Sequence, residues 1–580
     1  MIAQVKELIT TTAHADFDVL VVGGGAAGLR AAYEAALAGA KTGLVLKGSI
    51  GKSGASAFGV AELAGFSVPD GAADPLDSPD ILYDDIMRNA AGCADPRLVR
   101  ILVSEAVAAA NDLERFGVPF INDPKTGKTL VAMGDFASRP RNRKIFHHGK
   151  PITDSLGEKI KKIGVTVFDH TSVLGLLRSD KGVGGVFALG DRGQPLTLRA
   201  GATILATGGA GQMFNLSLQP TDITGDGYAL GYRAGAPLVN MEYMQAGFGT
   251  VHPAMTMVMT WIWALQPRFT DATGRSVLEG LLPDGVSEAD AMKGKVRHYP
   301  FSSTDHSKWL EIGAMTALAQ GRATEHGGLL LDLRHINESL LPKGSDLAAM
   351  WPISKEWFRK KGLNLEESPL ELGVFGHAIN GGLVISTHCE TTIPGLYAVG
   401  ETAGGPYGAD RLGGNMFLNT QVFGRRAGVH AAETAKTHGI KEKCALPGEL
   451  EILGNASGKD DIATAVRRIR TATTNGVLIV RTEKSLQKAE SELAALREEI
   501  LDGRYGVNST SQLLKLNETL NMLDVGRMMI SAALLRKETR GSHYREDFPE
   551  ENADLSKPIV VVQGEGSPVA AFSDYREYHS

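Results

Sequence analysis

The chain has 580 residues, enough for several domains or one large composite, and its 43% hydrophobic and 22% charged content is that of a soluble globular protein. A formal net charge of −6 argues against a nucleic-acid-binding surface. Its three cysteines, Cys93, Cys389 and Cys444, form no CxxC, so the chain lacks the four thiolates of an iron–sulfur cluster, a disulfide framework and any metal-ligand pattern.

The opening stretch "MIAQVKELITTTAHADFD" has no apolar core of a secretory signal, and no apolar run reaches the roughly 18 residues of a membrane span. A cytoplasmic location is expected. "DVLVVGGGAAGLRAAYEAALAGAKTGLVLKG" then reads as strand, glycine turn, helix, strand. Val19–Val22 is the buried strand, and Gly23, Gly25 and Gly28 complete GxGxxG at its junction with the helix. The first glycine makes the turn, the second admits a pyrophosphate and the third lets the helix pack. The helix N-terminus supplies free N–H groups and a positive dipole. The second strand, Thr42–Leu46, ends at Lys47 rather than at the acidic residue that usually holds a ribose. Lys47, Ser49 or backbone would have to take that role.

"LRAGATILATGGAGQMF" (Leu198–Phe214) is another strand ending in glycines, followed by the turn and small-residue helix of "TGDGYALGYRAGA" (Thr224–Ala236). Residues 241–355 change character, with the Met/Trp-rich "MTMVMTWIWALQPRF" and a polar, irregular continuation, and read as an inserted domain. "GHAINGG" (Gly376–Gly382) sets one histidine and one asparagine among glycines, and His377 there is open to packing, binding or proton transfer. "GLYAVGETAGGPYGADRLGGN" (Gly395–Asn415) returns to strand-then-glycine style, and a helix covers Gln421–Gly439. Heptad-like apolar spacing beyond residue 461 predicts a helical domain, and the polar tail holds one short strand, "PIVVVQ".

Taken in order, "VVGGGAAGLRAA", "SGASAFG", "ATGGAGQMF", "TGDGYALGYRAGA", "GHAINGG", "GLYAVGETAGGPYGADRLGGN" and "ETRGSHYREDFP" resemble the flavoprotein subunits of the succinate dehydrogenase/fumarate reductase family, which includes L-aspartate oxidase and adenylylsulfate reductase. The resemblance implies an α/β fold: a Rossmann-like FAD-binding domain (1–240 and 356–440), a capping domain (241–355), a helical domain (441–545) and a C-terminal tail (546–580). It implies FAD contacts at Gly23, Gly25, Gly28, Ser53, Gly54, Ala206, Thr207, Gly208, Asp226 and Glu401, with Asn415 and Leu418 approaching the flavin ring. The respiratory members attach FAD through a histidine soon after the second strand. "IGKSGASAFG" has none there, so noncovalent FAD is expected.

The family's chemistry is hydride transfer between flavin N5 and a carbon next to a carboxylate. That chemistry needs a cation to grip the carboxylate and an acid or base for the second carbon. His377 and Arg411 match the family's histidine and arginine motifs and are the candidate anion anchors. Two family features are missing. The glutamine–phenylalanine–histidine–proline–threonine stretch becomes "EYMQAGFGT", keeping Gln245 but placing Ala246 and Gly247 next, with His252 some residues on. The proton-delivering arginine is absent from "STDHSKWLEIGAMTALAQGR", where His306 and Lys308 are the nearby candidates. In "RNRKIFHHG", Arg143, His147 or His148 could face flavin or substrate, or form a basic surface turn. The expected activity is an FAD-dependent oxidoreductase acting on a small anionic substrate with an altered acid/base set. The alternatives are an adenylylsulfate reductase-like or L-aspartate oxidase-like enzyme, or a flavoprotein subunit docking a separate iron–sulfur, cytochrome or flavin partner.

Overall fold

A computed structural model describes residues 13–59, 61–122, 127–343 and 345–578. The strands that matter here are β1 (Ala13–Val22), β2 (Thr42–Val45), β3 (Ala64–Ser67), β4 (Asn142–Ile145), β5 (Thr166–Phe168), β6 (Thr171–Ser179), β7 (Gly182–Gly190) and β8 (Pro195–Leu205). They are followed by β9 (Met244–His252), β10 (Thr256–Met257), β11 (Arg268–Thr270), β12 (Leu329–Asp332), β13 (Leu370–Ile379) and β14 (Leu396–Ala398).

The first sheet runs β5-β2-β1-β8-β7-β6, with β14 against the C-terminal half of β8. Pairing is parallel for β5, β2, β1, β8 and β14, and antiparallel across β6, β7 and β8. Val19, Leu20 and Val21 are fully buried because helices cover the parallel part, as a continuous apolar strand requires. Helix α1 (Ala26–Leu37) follows β1 and lays Ala31, Ala32 and Ala35 on the sheet. Between them, Gly23 sits at φ 111°, and a Cβ there would lie 2.2 Å from the Ala206 carbonyl oxygen at the end of β8. A Cβ on Gly28 would lie 1.9 Å from the Gly23 carbonyl oxygen. The glycine motif therefore exists because two backbones and a helix start meet at contact distance.

The second sheet, in order β10-β9-β13-β12-β11, is antiparallel and belongs to the cap. Strand β9 leaves the α/β core just after residue 240, and β13 returns beside it, pairing Met244 with Ile379 and Ala246 with Gly376. β13 thus carries His377 on a cap strand, although the sequence assigns residues 356–440 to the FAD-binding part. Helices α2 (Asp226–Arg233), α3 (Glu288–Lys295), α4 (Lys308–Ala319) and α5 (Asp346–Lys360) flank these sheets.

Helix α6 (Asn415–His438) packs along α1, and α7 (Ile462–Val477), α8 (Glu483–Leu501) and α9 (Thr510–Leu535) pack on one another. Polar contacts tie them to the core: Arg470 donates to Gln212 Oε1 at 2.6 Å, and Arg233 pairs with Asp524 at 2.7 Å. The tail is less peripheral than its polarity suggests. Its strands Ile559–Gln563 and Pro568–Phe572 pair with each other, and the first also pairs with Leu238–Val239. One continuous apolar core joins Leu20 of the first sheet, Trp263 of the cap and Leu523 of α9. No helix among the described residues is long and apolar enough to cross a membrane.

Gly23→Ala forces both a strained φ and a backbone clash at the glycine turn. The purified variant is expected to retain FAD at least about tenfold less well than the parent, measured as the flavin-to-protein absorbance ratio. Unchanged FAD content would contradict the turn's role as a cofactor cradle.

Candidate active site

A cavity of about 580 Å³ runs between the first sheet and the cap, within the range of ligand sites. At one end its walls are the β1–α1 turn (Gly23, Gly24, Gly25), Ser53, Gly54, Ala206, Thr207 and Gly208. The α1 N-terminus opens here, its Ala26 N–H donating to Ser56 Oγ at 3.1 Å. Glycine backbone, a helix N-terminus and a volume of this size suit a dinucleotide such as FAD.

Lys47 stands at this end, with its ammonium already committed. It meets Asp226 Oδ2 at 2.7 Å, Glu518 Oε1 at 2.8 Å and Thr224 Oγ1 at 2.7 Å. Burial works against its charge, but Asp226 and Glu518 outweigh that and hold its pKa above the ordinary lysine value. An ammonium has three donors, and these acceptors, with the Asp222 carbonyl at 3.3 Å, engage them. Lys47 thus lines the cavity with its ammonium held by protein groups. Ser49 points away, toward His170 Nε2 at 2.9 Å. Asp226 faces the same cavity but is engaged by Lys47, Thr224 and Asn521. Glu518, on α9 and 471 residues from Lys47, has no sequence signal that could have placed it here.

Helical phase sets which residues at the start of α6 meet the cavity. Gly414, Met416, Phe417 and Thr420 face the cavity at the start of α6, and Asn415 and Leu418 are not on its wall. Both are buried on the other side of the helix, and the Asn415 amide has no hydrogen-bond partner. Glu401 does line the cavity. Burial pushes its carboxyl up to about 7, although the Ile379 N–H donates to it at 3.2 Å.

His377 and Arg411 come together on the cavity wall. Arg411 is 8% exposed and donates through Nε to Gln245 Oε1 at 3.1 Å and through Nη1 to the Leu412 carbonyl at 3.2 Å. Its Nη2 donates to His377 Nε2 at 3.4 Å. Among the described residues no carboxylate pairs with this guanidinium. Buried Arg30, Arg141, Arg536 and Arg545 pair with carboxylates, whereas Arg481, also without one, lies off the cavity and donates to the Val477 and Glu242 carbonyls and to His543 Nδ1. Burial first, and then the Arg411 charge, hold the His377 pKa down to about 3, so the ring is neutral. Arginine only donates, so His377 Nε2 must accept and the proton sits on Nδ1, which is buried without a partner. Gln219 Nε2 donates to the His377 carbonyl and pins the strand.

The other proton-transfer candidates lie elsewhere. His306 is exposed, and Lys308, at the start of α4, sets its ammonium 5.4 Å from the Trp309 ring; neither reaches the cavity wall. His252 ends β9 and stacks on His326 with ring centroids 3.6 Å apart, outside the cavity. Arg143 pairs outward with Glu114 at 2.7 Å and with Asp70, and His147 is exposed. His148 does reach the wall, tied to the Ala61 carbonyl at 2.7 Å. Strand alternation puts Asn142 and Lys144, not Arg143, on the cavity side of β4. Lys144 is partly buried. Burial lowers its pKa, and Asp135 opposes that shift. Period-two alternation within "RNRKI" is the signal that could have found it. Tyr299 also lines the cavity beside His377, and nothing in its local sequence singled it out.

Comparison with known proteins adds to this geometry. A family model described as an FAD binding domain matches residues 18–259 and 369–417, and one described as the fumarate reductase flavoprotein C-terminus matches residues 466–567. The chain is similar to one of the subunits of the CoM/CoB fumarate reductase of Methanothermobacter marburgensis, 32% identical over 94% of this chain and 96% of that one. An L-aspartate oxidase of Streptomyces coelicolor is 29% identical over 94% and 91%. Among solved structures, the FrdA chain of E. coli quinol fumarate reductase superposes with a TM-score of 0.80 at 26% identity, covering 97% of each chain.

Asp410, beside Arg411, is fully buried and accepts from Ser302 Oγ at 2.6 Å. Burial pushes its carboxyl from 3.8 up to about 7. Between those values the folded chain keeps a proton that the unfolded chain gives up, so this group's stabilisation is present at low pH and lost as pH rises through 7. Asp410→Asn removes that loss. Its Tm relative to the parent is expected to climb between pH 5 and pH 7 and to level off above. A difference that does not change over this range would contradict a neutral buried Asp410.

Proposed function

The chain belongs to the succinate dehydrogenase/fumarate reductase flavoprotein family, and from that premise we propose that this FAD-dependent oxidoreductase exchanges a hydride equivalent with a small carboxylate held by Arg411 and His377. The observation that carries this reading is a buried guanidinium on the cavity wall without a carboxylate partner. A buried cation left unpaired is costly, and an anionic substrate supplies the missing charge.

Once bound, FAD supplies the hydride-accepting or hydride-donating centre at its N5. The chain's residues do the rest. Arg411 draws negative charge onto the carboxylate, which makes the adjacent carbon a better hydride acceptor. Gln245 fixes the plane of the guanidinium from β9, through the Nε contact and its own Nε2 donation to the Arg411 carbonyl at 3.2 Å. Neutral His377 accepts one guanidinium N–H at Nε2 and so helps hold Arg411 in place on the cavity wall. We assign proton movement to Lys144, whose burial eases loss of its proton and whose side chain is on the cavity wall. This differs from the arginine of succinate and fumarate enzymes.

FAD is taken to be noncovalent, because "IGKSGASAFG" offers no histidine. A separate iron–sulfur, cytochrome or flavin protein would carry the electrons, since this chain has only three cysteines. Those free thiols also suit a cytoplasmic setting. A second reading, oxidation of a carbon–nitrogen bond, draws on the likeness to L-aspartate oxidase and uses the same clamp.

FAD-loaded protein should show its visible absorbance bleached or shifted by at least one acid among succinate, L-aspartate and sulfite with AMP, or reoxidised by fumarate after chemical reduction. Arg411→Ala is expected to keep FAD and to weaken that response at least about 30-fold. A full response from the variant would remove Arg411 from the reading.

A further inference from the structure

Lys144 reaches the cavity wall from β4, and among the described residues its ammonium makes no ion pair and no direct hydrogen bond. Its strand neighbours give it no counter-charge. Arg143 turns outward to Glu114 and Asp70, and Asn142, on the cavity side with Lys144, is neutral. Other titratable groups on the wall are engaged elsewhere: Arg411 by Gln245 and His377, Glu401 by the Ile379 N–H, His148 by the Ala61 carbonyl and Glu62 by His147. A lysine partly shielded from water and left uncompensated gives up its proton readily. One carboxylate opposes that effect of burial on the Lys144 amine, and it belongs to Asp135.

Asp135 is partly exposed and lines the same cavity as Lys144. It is held from two directions. Its Oδ1 accepts the Tyr299 N–H of the cap at 2.8 Å, and its carbonyl accepts the N–H of Gly413, two residues past Arg411, at 3.1 Å. Lys295 Nζ in turn donates to the Tyr299 carbonyl at 2.7 Å, which fixes the cap side of this contact.

The contact with the Arg411 turn leaves no room for side chains. A Cβ on Gly413 would lie 2.6 Å from the Asp135 nitrogen and 2.9 Å from its Oδ2. A Cβ on Gly134 would lie 2.8 Å from the Gly413 carbonyl oxygen. Two glycines therefore let the loop carrying Asp135 lie directly against the turn carrying Arg411. Base, cap and turn meet at this one carboxylate.

Resting on the assignment of proton movement to Lys144 above, we propose that Asp135 is the positioning residue for the Lys144 ammonium, supplying its counter-charge across the cavity from a place fixed jointly by the cap and the Arg411 turn. The charge acts over more than contact distance, which a partly dehydrated cavity permits. Lys144 then keeps its proton in the resting protein, and does so only while cap and base are seated on each other.

The test labels FAD-loaded protein with a trace of acetic anhydride across the neutral and alkaline range. Acetylation of Lys144, read by peptide mass spectrometry, reports how its amine titrates without any substrate. Asp135→Asn keeps an acceptor for the Tyr299 N–H and removes the charge. Its Lys144 midpoint is expected to fall by at least about half a pH unit, at unchanged FAD content and Tm, and Asp135→Glu is expected to restore it. An unmoved midpoint overturns the proposal. Loss of folding in Asp135→Asn makes Asp135 structural and overturns it too, as does a Lys144 that no pH renders reactive. The pH profile of the flavin response to a substrate acid is expected to move down with the midpoint. A moved midpoint with an unmoved profile keeps Asp135 as the counter-charge and removes Lys144 from proton transfer, a failure of the preceding reading alone.

Discussion

A buried arginine without a counter-ion sets the terms for this molecule. Arg411 is placed by the turn before α6, Gln245 by β9 and His377 by β13, so three separate parts of the chain must converge to satisfy its donors. Two of those elements belong to the cap and one to the α/β base. The clamp therefore forms only when cap and base are packed together, and the continuous core that joins them is a condition of function as well as of stability. Placing a neutral histidine beside the guanidinium satisfies one of its N–H groups without bringing a second charge. The electrostatic demand for an anion then comes from Arg411 itself.

The cofactor end is governed by a different balance. Lys47 gathers Asp226, Glu518 and Thr224 around one ammonium, and Glu518 arrives from the C-terminal helices. Removing the lysine would leave two partly buried carboxylates facing each other, a loss of the kind that costs about 3–5 kcal/mol when a buried pair is broken. The helical domain is thus bonded to the floor of the cavity that the glycine turn opens. A ribose hydroxyl arriving here would find carboxylate and backbone, with no ammonium N–H to spare.

Much of this was legible in the sequence because the relevant signals are local. GxGxxG between an apolar run and a small-residue helix fixes a strand–turn–helix with its backbone exposed, and the order of the glycine motifs carried the family, the cofactor and the pair His377 and Arg411. The misses share one physical origin: which face of an element meets the cavity depends on partners far away in the chain. Met416 and Phe417 face it while Asn415 and Leu418 do not, a difference of one residue in helical phase. Lys144 faces it while Arg143 does not, by strand alternation. His306 and Lys308 fell in the expected segment, but neither lines the cavity. Tyr299 and Glu518 had no local mark at all, since each matters only through a neighbour far along the chain.

The most direct test is a crystal structure of the FAD-loaded protein with fumarate bound. The expected result places a carboxylate within hydrogen-bond distance of the Arg411 guanidinium, with the alkene beside the flavin. Fumarate bound away from Arg411, or an Arg411 side chain paired instead with a protein carboxylate such as Glu401, would contradict it.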